Sequence, residues 1–204
     1  MNQPNNRLKY KGKTYNKANL KKRLRHFVSH SENFVSNSFW YVNQSQWIKD
    51  NSNGLDMFKA AGIFAALSPQ ASVPLNEQFF IQYMETGTAS HTAVMVDKCH
   101  RIMNASDEEE VVKILNGNKI KSFYLNLLHP NKETKVTIDR HAIACLFQSP
   151  NNVSALSNNF ARMTDKQYSF FESVYIDVSN ELNILAHELQ AIAWVSYRQL
   201  RNLN

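Results

Sequence analysis

Residues 55 to 67, LDMFKAAGIFAAL, are apolar on nearly every side once wound into a helix. A helix without a polar face has to be covered by other elements, so this stretch predicts a central helix, and its alanines let neighbours approach closely. The remaining segments read as those neighbours. Leu20, Leu24, Phe27, Val28 and Phe34 recur at helical spacing over residues 17 to 34, and Phe79, Phe80, Ile81, Tyr83 and Met84 suit a helix opened by Pro74. Residues 92 to 103, 164 to 180 and 184 to 200 carry the same period, and Ser106-Asp107-Glu108-Glu109 predicts a capping box at the start of another helix. Five Gly and five Pro among 204 residues supply too few turns for a sandwich or barrel. The expectation is an all-α, compact, two-lobed helical domain over residues 16 to 204.

Charge is distributed unevenly. Nine cations (Arg7, Lys9, Lys11, Lys13, Lys17, Lys21, Lys22, Arg23 and Arg25) precede the first acid, Glu32, and the remainder carries 14 basic against 17 acidic residues. Residues 1 to 15 are therefore expected to form a flexible basic arm, extended or disordered, and the basic run reads either as a solvated leader or as a phosphate-contacting device for DNA. The polar, basic N-terminus has no apolar stretch of signal-peptide type, and no apolar run reaches about 18 residues, so no membrane partner is expected. Cys99 and Cys145 have no pairing logic and point to a reducing compartment, the cytoplasm. No Cys/His spacing suggests a metal, and no phosphate-loop or dinucleotide motif suggests a cofactor. Phe39, Trp40, Tyr41 and Trp47 form a cluster best read as core, with base stacking as the alternative.

Residues 115 to 142, LNGNKIKSFYLNLLHPNKETKVTIDRHA, hold the candidate chemistry. Asn116-Gly117-Asn118 has the composition of a tight turn. Ile120, Phe123, Tyr124, Leu127 and Leu128 follow as the buried face of a helix that Pro130 ends. Beyond a polar loop, Thr137 suits an N-cap, and Asp139 would then sit in the first turn of the next helix, where the dipole favours an acid. Arg140 and His141 adjoin it. Gln70 follows the central helix, offering an amide to a cleft or to the turn itself, while Gln190, Trp194 and Arg198 fall at four-residue intervals on one face of the last helix.

Gly117, Lys121 four residues on, and Asp139 eighteen residues further resemble the helix-hairpin-helix DNA glycosylase superfamily of the endonuclease III kind. Ile138-Asp139-Arg140-His141 is similar to that family's Val-Asp-Thr-His. The resemblance departs in two places: Lys119 stands where the family hairpin carries a second glycine, and two cysteines cannot supply a four-cysteine iron-sulfur site. The chain also resembles a set of small phage proteins through Ala66–Gln70, Val136–Ala142 and Leu189–Trp194.

These resemblances imply a glycosylase-like fold with a cleft between helical lobes, and DNA as partner. In that reading Asp139 is the catalytic carboxylate and Lys121 a candidate Schiff-base nucleophile, while Gly117, Asn118, Lys119, Arg140, His141, Gln70, Gln190, Trp194 and Arg198 bind backbone or base. Two alternatives stand beside it. One is base hypermodification of the phage thymine-modifying type; the other is a non-catalytic module that binds DNA or a host protein. On the residues alone, Asp139 and Arg140 can equally be a helix-capping pair beside a buried, satisfied His141.

Overall fold

The computed structural model describes residues 6–132 and 135–202, and among these it is mostly helical. In chain order the described elements are β1 (Arg7–Tyr10), β2 (Lys13–Asn16), α1 (Lys17–Ser29), α2 (Phe34–Ser38), α3 (Trp40–Asp50), α4 (Met57–Leu67), α5 (Val73–Thr86), α6 (Ala93–Met103), α7 (Glu108–Ile114), α8 (Asn118–Leu128), α9 (Arg140–Phe147), α10 (Asp165–Leu182) and α11 (Ala186–Leu200). A single 3-10 turn, Asn158–Ala161, precedes α10. No helix among the described residues is long and apolar enough to cross a membrane. The chain divides into two compact units, residues 1–40 with 132–204, and residues 41–131.

In the first unit, α1, α9, α10 and α11 share one core. Leu20, Leu24 and Phe27 meet Ile143, Leu146, Phe171, Val174, Leu189 and Ile192, all with at most 1% exposure. The N-terminal residues are part of this core. Where the sequence predicts an extended or disordered arm over residues 1 to 15, residues 7–16 form an antiparallel hairpin in which Leu8 pairs with Tyr15 and Tyr10 with Lys13. Leu8 and Tyr10 are buried, Tyr10 packs edge-on against Phe171, and its hydroxyl donates to the Phe160 carbonyl. Residues 1 to 5 of the expected arm lie outside the described residues.

The second unit is arranged around α4, as its unbroken apolar surface predicts. Every residue from Ala60 to Leu67 is buried. Phe64 meets Phe80 at 5.7 Å between ring centroids and Trp47 at 6.1 Å, and Tyr41 packs on Phe123. Gly62 sets how near α6 and α7 can come: a Cβ there would stand 2.7 Å from Val111 Cγ1 and 3.1 Å from Ile102 Cγ2. The helix start expected at Ser106 lies one residue later. Asp107 is the N-cap and accepts from the Glu110 amide at 2.8 Å, while Glu110 reaches back to the Ser106 amide at 2.8 Å.

Candidate functional site

Residues 136–138 lead into α9 and, among the described residues, pair with no strand. Val136, Thr137 and Ile138 are nonetheless buried, so their polar backbone groups need partners from side chains. α10 supplies them. The Val136 amide donates to Glu172 Oε1 at 3.0 Å, the Ile138 amide to the Tyr168 hydroxyl at 3.1 Å, and that hydroxyl donates to the Val136 carbonyl at 2.6 Å. The next residue, Asp139, is thereby held at a defined position.

Asp139 is itself the N-cap of α9, which corrects the expectation that Thr137 caps and Asp139 follows inside the first turn. Its Oδ1 accepts from the amides of His141 at 2.9 Å and Ala142 at 2.8 Å. Two backbone donors on one oxygen fix the carboxylate plane and leave Oδ2 directed at His141, 3.4 Å from Nδ1. Both side chains are mostly covered, with 18% exposure for Asp139 and 21% for His141. Beneath them lie Tyr175, whose hydroxyl donates to the Ala142 carbonyl at 2.9 Å, and Cys145, whose thiol lies 3.4 Å from the Ala193 carbonyl. Burial pushes the Cys145 thiol and the Tyr175 phenol well up, and the nearby charge of Asp139 pushes each further.

His141 is the junction of the site. Trp194 Nε1 lies 3.3 Å from its Nδ1, and Arg140 Nε lies 3.3 Å from its Nε2. An indole N–H and a guanidinium N–H can only donate, whereas a neutral imidazole accepts at one nitrogen only. Asp139 favours the proton on Nδ1, which leaves Nε2 to accept from Arg140; Trp194 favours the opposite tautomer. Nδ1 is therefore contested between a carboxylate and an indole. Trp194 is fixed in turn by Trp40, edge-on at 5.2 Å, and by the Arg198 guanidinium 5.0 Å over its ring. Gln190, one turn earlier on α11, is buried at 5% exposure, and Tyr197 places its ring 5.5 Å from that of His141.

Asp139, Arg140, His141, Trp194 and Arg198 thus come together in the first unit, with Gln190 on the same helix face. The other candidates belong to the second. Gly117 is the N-cap of α8, at φ 77° and ψ 146°, a combination essentially confined to glycine. Asn118 and Lys119 open that helix, and the half-buried Lys121 donates its amide to the Gly117 carbonyl at 3.2 Å. Gln70 is exposed in the turn after α4, in the left-handed region at φ 65°. Among the described residues no group of three His, Cys, Asp or Glu is arranged to hold a metal.

Sequence reasoning missed the supports of the site. Tyr197 gave no signal distinct from the core spacing of α11. Glu172 did: a lone acid flanked by Phe171 and Val174-Tyr175 on an amphipathic helix has to be buried against something polar. Residues 23–201 match the model of a family described as Family of unknown function (DUF7178). No curated protein and no solved structure matches the chain.

Proposed function

The chain belongs to this family of unknown function, and we propose that it acts on DNA, cleaving or exchanging the bond between a base and its deoxyribose with Asp139 as the carboxylate beside C1′. One observation carries the reading: a mostly buried carboxylate, locked by two backbone amides, keeps its second oxygen beside an imidazole whose proton has two competing positions. Departure of a base builds positive charge on the sugar, as in glycoside hydrolysis, and a preorganised carboxylate in a poorly solvated site stabilises that charge. Water adds to C1′ and gives its proton to the Asp139–His141 pair. The C1′–N bond breaks with its electrons going to the base, which takes up a proton as it leaves. Arg140 and Arg198 are the cations for phosphate, and Trp194 and Gln190 are the stacking ring and the amide for a flipped base.

In this reading the turn at Gly117, Asn118 and Lys119 contacts a DNA phosphate, as the hairpin of the glycosylases it resembles would. In a separate route the deprotonated Lys121 amine attacks C1′ as the bond to the base breaks with its electrons going to the base, and cleavage of the ring C1′–O bond then opens the sugar to a Schiff base. Borohydride distinguishes the two routes by trapping the protein on DNA only if Lys121 attacks. A second reading, a non-catalytic DNA- or host-protein-binding module on the same helices, draws on the fact that capping alone gives Asp139 Oδ1 a structural duty. The deciding experiment incubates the protein with duplexes carrying a panel of modified bases and assays abasic sites. Asp139→Asn should bind as before and release no base; if neither protein releases any base from the panel, the binding module is the reading that stands.

A further inference from the structure

The nine cations at the start of the chain do not all do the same work. One edge of α1 is neutralised from within: Lys17 reaches Asp177 at 2.8 Å, Lys21 reaches Glu181 at 2.7 Å, and Arg25 is bidentate to Glu181 at 2.7 and 2.9 Å. Those three fasten α1 to α10. The other edge faces an open groove of about 650 Å³ lined by Asn19, Lys22, Arg23, Arg25, His26, Ser29 and the loop at Gln148, with no carboxylate among its lining residues. Lys22 and Arg23 are exposed, and among the described residues neither forms a salt bridge. Arg23 is nevertheless held in place, because one guanidinium nitrogen donates to the Phe147 carbonyl at 3.0 Å, which leaves further donors of its fork for a ligand.

We infer that this groove is a track for the sugar-phosphate backbone of duplex DNA. The inference rests on the reading of the protein as DNA-acting, and it concerns a surface apart from the Asp139 cluster. Asn19 and Ser29 are separated by ten residues of helix, about 15 Å, which matches about four nucleotides of one strand at 3.4 Å each. An amide at one end with cations spread along the helix suits a row of phosphates better than a single small anion. The hairpin extends the same surface. Tyr15 stacks on Phe147 at 4.2 Å, immediately before Gln148, so the exposed Lys9, Lys11 and Lys13 belong to the element that abuts that end of the groove.

The test measures binding of an undamaged 20-base-pair fluorescent duplex across a salt series, with the full chain and Lys22→Gln/Arg23→Gln. Both side chains are exposed, so the double variant should melt like the wild type. Its affinity should fall at least about tenfold at 0.1 M salt, and the slope of log K against log salt should flatten by about 2, one phosphate per lost cation. Asp177→Asn/Glu181→Gln, which frees the opposite edge, should steepen that slope. An unchanged slope in the Lys22/Arg23 variant, a wild type that binds no duplex at low salt, or equal competition by polyglutamate or duplex RNA would each overturn the inference. Asp139→Asn should bind like the wild type throughout, and a wild type that releases no base while its salt slope is intact counts against the catalytic reading alone.

Discussion

At the start of α9 one carboxylate has two duties, and substitution can separate them. Asn also accepts from helix amides, so Asp139→Asn keeps the cap, whereas Asp139→Ala removes it at a cost of about 1 kcal/mol. The expected outcome is a melting temperature near wild type for Asn, a lowered one for Ala, and base release lost in both. An Asn variant with full activity would remove Asp139 from the chemistry. Trp194→Phe keeps a ring for Trp40 and Arg198 to pack against but deletes the N–H aimed at Nδ1. Nitrogen NMR of His141 should then show its proton moving to Nδ1, toward Asp139; an unchanged tautomer would mean that the indole does not compete. The triplet Asp139-Arg140-His141 was legible in the sequence because its members are adjacent. Trp194 was legible only as one member of a helix stripe, and its meeting with His141 and Trp40 comes from packing among α9, α11 and the chain after α2, which no local pattern encodes.

At the scale of elements, the strongly periodic helices were read with nearly their observed bounds: α4, α5 and α10 begin and end within about three residues of the sequence expectation. The hairpin was not. Leu8 and Tyr10 alternate with cations, a half-buried strand pattern, and Lys11-Gly12 at φ 48° and 77° matches a tight turn with both central residues left-handed. The density of charge hid that alternation. Thr137 has the composition of a cap but is not one, since side chains of α10 rather than helix geometry satisfy the backbone of residues 136 and 138. Two glycines make predictions here. Gly62→Ala gains about 1 kcal/mol of helix propensity but overpacks against Val111 by about 1–3 kcal/mol, so the net effect in a urea melt should be destabilising. Gly117→Ala meets no neighbour and suffers only backbone strain of about 1–3 kcal/mol. The α1–α10 ion pairs predict acid sensitivity. Hydrogen bonding from Lys21, then from Arg25, holds the Glu181 carboxyl below its ordinary value of 4.5. The stability it contributes is present above that value and is lost as pH falls through the lowered one, so Glu181→Gln should flatten the acid limb of a pH–stability curve.

Taken whole, the chain has two units and one buried thiol in each, Cys145 in the first and Cys99 in the second. Burial raises Cys99 to about 12 and lifts Cys145 well above the ordinary 9.0. At pH 8 the native Cys99 thiolate is therefore about one part in 10⁴, so a maleimide or disulfide reagent reacts with it only after the surrounding helices open. The sign of the linkage follows from the raised values. Each thiol's contribution is intact below the unfolded value of 9.0 and is lost as pH climbs toward the folded one, so stability should decline in alkali. Since each unit has its own core, peptide-resolved labelling in increasing urea should show Cys99 and Cys145 becoming reactive at different midpoints. A single shared midpoint would mean that the two units unfold as one cooperative body. Repeating the titration with bound duplex extends the test to function. A ligand seated on the α1 groove stabilises the state that binds it, so it should delay labelling of Cys145, and a delay confined to Cys99 would place the duplex on the second unit instead.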